Sequence, residues 1–206
     1  TDMSTGSALE SLPLLYLCRH GQTDWNAERR LQGQSDIPLN TIGRAQARRN
    51  GRYLRNVLRD SAEGFDYVSS PMSRAAETMR IARREMGLDP DVFRQDERLR
   101  EIHFGDWQGF TIGELELSAP LQVQHRSRDK WNFLPPGDGA ETYEGLANRV
   151  APVFNELRKP TIVTAHGGVT RAFLKRFAGF SDEQASEIDV PQDRILRIEN
   201  GEIAWV

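Results

Sequence analysis

Leu14-Leu15-Tyr16-Leu17-Cys18-Arg19-His20-Gly21-Gln22 starts as a short apolar run and breaks abruptly into a cation, an imidazole and a glycine. An apolar run of that length bounded by turn-forming residues predicts a buried strand. Similar runs lie at Asp66 to Ser69, Thr161 to Ala165 and Ile195 to Ile198, with Ile203 to Val206 a candidate fifth. Helical patterns separate most of them, and that alternation predicts an α/β fold with a largely parallel sheet.

Three helical patterns stand out. Between Thr41 and Leu58, residues Ile42, Ala45, Tyr53, Leu54, Val57 and Leu58 fall near one face, with Thr41 as the expected N-cap and Gly51 as a mild defect. Tyr143, Leu146, Ala147, Val150, Phe154 and Leu157 repeat the pattern, and Pro152 inside it should kink or divide the helix. Val169, Ala172, Phe173 and Phe177 form a third stripe directly after the strand that ends near His166. Asn200-Gly201 predicts a tight hairpin turn, and Pro135-Pro136-Gly137-Asp138-Gly139 a loop.

The 206 residues suit one domain, expected over residues 13–206, after a loose, polar terminus over residues 1–12. With 27 basic and 30 acidic residues the formal charge is -3, so no overall field draws the chain to nucleic acid or to an anionic membrane. The longest apolar run, Leu12 to Cys18, is far below the roughly 20 residues of a membrane helix. No signal-peptide pattern is present, and the expected location is cytoplasmic. The lone cysteine, Cys18, excludes an intrachain disulfide and a multi-cysteine zinc site, and its side chain is expected in the core.

Chemistry should gather where strands end, because ligands of open α/β sheets bind beyond the strands' carboxyl ends. Three segments follow predicted strands: Arg19-His20-Gly21, Ser69-Ser70-Pro71-Met72-Ser73-Arg74 and Ala165-His166-Gly167-Gly168. Arg19 and Arg74 offer planar forks that match phosphate oxygens, and His166 offers a further donor. With Ser70 as N-cap and Pro71 at the first helical position, Arg74 would fall just past a helix's opening turn. Taken singly, each of these residues reads as a cap, a core polar group or a solvated charge.

Taken together, the blocks resemble the histidine phosphatase, or phosphoglycerate mutase-like, superfamily from Leu14 onward. The resemblance rests on Arg19-His20-Gly21-Gln22-Thr23-Asp24-Trp25-Asn26, Leu31-Gln32-Gly33, Gly43-Arg44-Ala45-Gln46-Ala47, Ser69 to Thr78, Glu101 to Gly109 and Thr164 to Gly168. It implies a three-layer α/β sandwich whose mostly parallel sheet is flanked by helices, with a small helical insertion over the active site. It further implies that His20 is the phosphate-accepting nucleophile, that Arg19, Arg74 and His166 clamp the phosphoryl oxygens, and that Glu101 moves the proton. Asn26, Gln32 and the backbones of Gly33 and Gly167 are implied to line the same pocket. No metal and no cofactor are implied.

The mechanism so implied needs His20 as a neutral imidazole whose far nitrogen donates to a backbone carbonyl, with a protonated His166 among the stabilising groups. The 65 positions from Glu101 to His166 resemble compact phosphatases rather than mutases with longer insertions. Phosphomonoester hydrolysis is therefore expected over mutase-type phosphoryl transfer, and both over a catalytically silent phospho-ligand-binding protein. Gln108 departs from the family's usual glutamate, which puts one charged contact in doubt. His103 and Glu141 are left outside catalysis, and Trp25, Phe104 and Trp107 serve packing or pocket walls. Between Phe110 and Pro135, His125, Arg126, Arg128 and Lys130 either grip an anionic substrate or face solvent. The expected partner is a small phosphoester, with a homodimer allowed but selected by no sequence feature.

Overall fold

Strands β1 (Leu15–Arg19), β2 (Asp66–Ser69), β3 (Arg94–Gln95), β4 (Thr161–Ala165), β5 (Ile195–Glu199) and β6 (Glu202–Trp205) form one sheet. The computed structural model describes residues 5–206 and gives the strand order as β3-β2-β4-β1-β5-β6. β4 pairs in parallel with both β1 and β2, β2 in parallel with β3, and β5 runs antiparallel to β1 and β6. The helices are α1 (Thr5–Glu10), α2 (Asp24–Ala27), α3 (Thr41–Leu58), α4 (Ser73–Glu85), α5 (Ile112–Ser118), α6 (Pro120–Arg128), α7 (Tyr143–Asn155), α8 (Gly167–Phe177) and α9 (Asp182–Glu187).

Alternation along β1 builds the three layers. Leu15 and Leu17 point into a core shared with Leu146, Val150 and Phe154 of α7 and Phe173 and Phe177 of α8. Tyr16 and Cys18 point the opposite way, against Leu54 and Leu58 of α3 and Met79 of α4. Period-2 side-chain direction makes both faces apolar, which is why the strand reads as an unbroken apolar run. Each fully buried leucine of this set contributes about 1.5–3 kcal/mol of transfer free energy.

Four local expectations change. The N-cap of α3 is Asn40, whose side chain accepts from Gly43 N, and not Thr41. Its buried face runs through Gly43, Ala47, Asn50, Gly51, Leu54 and Leu58, while Ile42 and Val57 are exposed. Gly51 is a contact and not a defect: a Cβ there would sit 2.8 Å from Ala82 Cα of α4. The small residues let the two helices approach closely, which a count of large apolar residues misses. Pro152 does not divide α7, because it falls near the end, where one amide hydrogen bond is lost.

β3 escapes an apolar scan because Arg94 and Gln95 are exposed and pair with β2 through backbone, Val68 with Arg94, and through the Arg94–Asp66 ion pair. Of the expected loose terminus, residues 1–4 lie outside the described residues. From Thr5 the chain forms α1, and Leu9, 9% exposed, packs into the core. The predicted hairpin is present, with Asn200 and Gly201 at φ 51° and 77° between the paired Glu199 and Glu202. No described helix is long and apolar enough to cross a membrane.

Candidate active site

Because β4 lies between β1 and β2, the three expected segments leave the sheet side by side. His20 N donates to Ala165 O at 3.0 Å and Ser70 N to Thr164 O at 2.9 Å, which holds the exits level. The helix after β2 starts later than the sequence suggests: α4 begins at Ser73 with Met72 at its N-cap and no side-chain cap. Ser70 is thereby freed from capping. Its Oγ lies 2.7 Å from His166 Nε2 and accepts from Met72 N at 3.3 Å.

His20 is 2% exposed, and its Nδ1 lies 2.6 Å from Gly21 O. A carbonyl only accepts, so the ring proton sits on Nδ1 and Nε2 carries a lone pair. Arg74 Nε donates to that Nε2 at 3.3 Å. Burial, then the charges of Arg74 and Arg19, hold His20 well below the ordinary histidine pKa, so it is neutral near pH 7.

The surrounding donors lack protein anions. Arg74, fully buried, gives Nη1 to Ser35 O at 2.8 Å and Nη2 to Gly33 O at 2.6 Å; burial pushes its pKa down to about 10, leaving it charged. Arg19 gives Nη1 to Val190 O at 2.7 Å, while its Nε is buried without a partner. His166 Nδ1 is likewise buried and unpartnered, with the ring 5.3 Å from that of His20. The Ser70 hydroxyl proton is free for His166 Nε2, which assigns the ring proton to Nδ1 and makes it a donor. Burial, followed by Arg74, His20 and Arg19, keeps His166 well below the usual range. Without an anion His166 is therefore neutral, while the expected protonated form belongs to the phosphate-bound site, where the anion's charge opposes that shift.

Glu101 is held through both oxygens, Oε1 accepting from Ile102 N at 2.8 Å and Oε2 from Gly168 N at 3.1 Å. Gly168 has no room for a side chain, because a Cβ would collide with Glu101 Oε1. Behind it, Arg149 donates to the carbonyls of Arg98, Arg100 and Glu101 and pairs with Glu141 at 2.7 Å. Glu141 thus anchors the arginine that fixes this segment.

Two amides are sorted by their neighbours. Asn26 Oδ1 accepts from Thr23 N at 3.0 Å and Gln192 Nε2 at 3.1 Å, and Gln32 Oε1 accepts from the Thr23 hydroxyl at 2.8 Å. Their NH2 ends remain for the cavity that both residues line. That cavity, about 140 Å³, is bounded by Arg19, His20, Asn26, Gln32, Gly33, Arg74, Glu101 and Gly167, every expected pocket residue except His166. His166 lies next to His20, the two rings edge to face. A hollow of about 530 Å³ beside β2 and β3 is larger, but its Asp66 and Arg94 pair with each other at 3.0 Å. Among the described residues no cluster of three or more His, Cys, Asp or Glu could hold a metal ion.

A profile of the histidine phosphatase superfamily (branch 1) matches residues 15–206. The chain belongs to that superfamily. A glucosyl-3-phosphoglycerate phosphatase of Mycobacterium tuberculosis is 34% identical over 172 residues, 77% of this chain and 72% of that protein. A 2,3-bisphosphoglycerate-dependent phosphoglycerate mutase 2 of Gloeobacter violaceus is 32% identical over 187 residues, 87% and 82% of the two chains. The solved structure of mycobacterial glucosyl-3-phosphoglycerate phosphatase superposes with a TM-score of 0.75 at 28% identity, covering 94% of this chain and 96% of that one.

Within this histidine phosphatase framework, Gln108 needs no charge. Its Oε1 accepts from Gln34 N at 2.8 Å and Phe104 N at 3.3 Å, a task for any carbonyl-like oxygen. His103 Nδ1 accepts from Gly105 N at 2.9 Å and shapes a turn. Phe104 lines the cavity, whereas Trp107 packs on Phe133 in the core. Gln192, Arg149 and Arg171 were not expected at the site, and Gly168, expected in the segment after β4, serves there by donating its N–H to Glu101. Arg171 follows Gly167 by one helical turn, a spacing that places both on one face of α8. The others act through backbone or amide contacts that leave no sequence pattern.

Proposed function

We propose that this histidine phosphatase superfamily member hydrolyses small phosphomonoesters through a phosphohistidine on His20, without a metal. The observation that carries the proposal is the fixed tautomer of His20, with Nδ1 bound to Gly21 O and the Nε2 lone pair met only by Arg74, beside buried Arg19 Nε and His166 Nδ1, which have no partner. An unsatisfied buried donor costs about 1–3 kcal/mol. Phosphoryl oxygens on Arg19 Nε and His166 Nδ1 recover that cost.

In the first step His20 Nε2 attacks phosphorus while the ester P–O bond breaks. The bond's electron pair goes to the leaving oxygen, which takes a proton from Glu101. Charge on the equatorial oxygens meets Arg19, Arg74, the Asn26 and Gln32 amides and the amide of Gly167 at the start of α8. In the second step Glu101 as carboxylate takes a proton from water, whose oxygen attacks phosphorus. The N–P bond breaks, its pair returns to Nε2, and inorganic phosphate leaves. The proton stays on Nδ1, donated to Gly21 O, throughout.

The test is phosphate release from an aryl phosphate with and without chelator, followed by rapid acid-free trapping of labelled protein. Turnover unaffected by chelator and an acid-labile label lost in His20→Ala are expected. A label that survives acid, or full turnover by His20→Ala, rules the mechanism out. The mutase relative favours one competing outcome, return of the phosphoryl group to a bound monophosphate, which appears as isomerised product without phosphate release. A cytoplasmic setting fits the buried Cys18, whose thiol is pushed up to about 12 by burial.

A further inference from the structure

Glu101 stands on backbone that has no secondary structure of its own. Residues 100–104 are neither helix nor strand, and the peptide groups of such a segment must find partners elsewhere. One side chain meets three of its carbonyls. Arg149 gives Nη1 to Arg98 O and Arg100 O, each at 2.8 Å, and Nη2 to Glu101 O at 3.2 Å. Its remaining N–H groups go to Glu141, Nε to Oε2 at 3.0 Å and Nη2 to Oε1 at 2.7 Å. All five donors of the guanidinium are thereby used.

Glu141 completes the frame from the other side of Glu101. Its Oε1 accepts from His103 N at 3.0 Å, and its own N–H donates to His103 O at 2.8 Å. Arg149 sits midway along α7, between Leu146, Ala147 and Val150, which are buried in the core. The pair therefore has a rigid mount. Neither residue lines the phosphate cavity, so neither touches a substrate's phosphate. Their bearing on the reaction runs through Glu101, whose carboxylate is held by Ile102 N and Gly168 N. Both bonds depend on where this segment lies against the start of α8, and misplacing a reacting group by about 1 Å costs up to about 10²-fold in rate.

We infer that Arg149 and Glu141 are positioning residues for the proton transfer, holding Glu101 at the place from which it serves the leaving group. The inference rests on the proposed acid role of Glu101. Lysine at position 149 would keep the charge, but its compact ammonium lacks the planar fork that spans three carbonyls and a carboxylate together.

The test compares kcat/KM for propyl phosphate, whose leaving alkoxide needs a proton, with kcat/KM for 4-nitrophenyl phosphate, whose leaving group needs none. The ratio of the two is read within each variant. A lower folded fraction or a damaged phosphate site slows both substrates alike and leaves the ratio unchanged, and Glu101→Gln sets the full effect. Arg149→Lys should lower the ratio by about tenfold, Glu141→Gln by about threefold, and Arg52→Gln on the exposed side of α3 should leave it. Arg149→Lys added to Glu101→Gln should lower it no further than Glu101→Gln alone, because a positioning residue acts only through the group it positions. If Arg149→Lys fails to fold, Glu141→Gln carries the same comparison, alone and with Glu101→Gln. A ratio unchanged in both Arg149→Lys and Glu141→Gln, or effects that add to that of Glu101→Gln, overturns the positioning role alone. A ratio unchanged in Glu101→Gln overturns the acid role and the positioning role with it. No turnover of either substrate by the unmodified protein overturns the phosphatase proposal itself.

Discussion

Arg98 and Arg74 use the same side chain in opposite ways. Arg98 is part exposed and bonded to two carboxylates, Asp96 and Glu156, each at 2.8 Å, which hold its pKa up. Arg74 is fully buried and meets only two carbonyls and an imidazole nitrogen, so burial pulls its pKa down. The protein completes the charge of the first and leaves the second for a ligand. Strained electrostatics of this second kind mark functional sites more often than structural ones.

The comparison breaks most sharply at the nucleophile. His20→Ala should reduce kcat by at least about 10⁴-fold while leaving the surface pairs intact, as removal of a covalent nucleophile does; steady-state phosphate release measures it. Glu101→Gln should lower kcat by about 10²–10⁴-fold for an alkyl phosphate and much less for a nitrophenyl phosphate, whose leaving group needs no proton. Equal losses on the two substrates would remove Glu101 from the acid role. Arg74→Lys keeps the charge but loses the fork, and should cost about 10²–10³-fold in kcat/KM.

Acid should expose the same contrast in stability. His20 and His166 have folded pKa values below the unfolded value of about 6.5, so the unfolded chain binds protons that the folded one refuses. Stability from their neutral burial is whole above that value and is lost as pH falls below it. Calorimetric scans from pH 7.5 to 5 should show Tm falling, and the fall should shrink in His166→Gln. At the surface, Arg98→Ala should leave kcat/KM alone and shift Tm by no more than about 4 °C. A large activity loss there would undo the distinction between completed and uncompleted charges.

Much of this was legible in residue order. The apolar runs located five of the strands, and the motif blocks named Arg19, Arg74, Glu101 and His166, which now stand around His20. What stayed hidden depends on contacts between distant segments. The tight face of α3 through Gly51 is set by its fit to Ala82, and β3 by backbone pairing and the Arg94–Asp66 ion pair. The ionisation of His166 is not read from residue type, because an imidazole's charge depends on burial and neighbours. Gly168 and Gln192 act by leaving space and by orienting an amide, neither of which a sequence displays.

The sequence by itself determined the layered α/β plan and, through its motif blocks, the family and the candidate site around His20, because apolar alternation and motif spacing are local properties of the chain. Only the tertiary structure decided which nitrogen of His20 carries the lone pair and which buried donors lack partners. Those are matters of burial and distance between segments far apart in the chain, and charge and hydrogen-bond capacity acquire their energies only there.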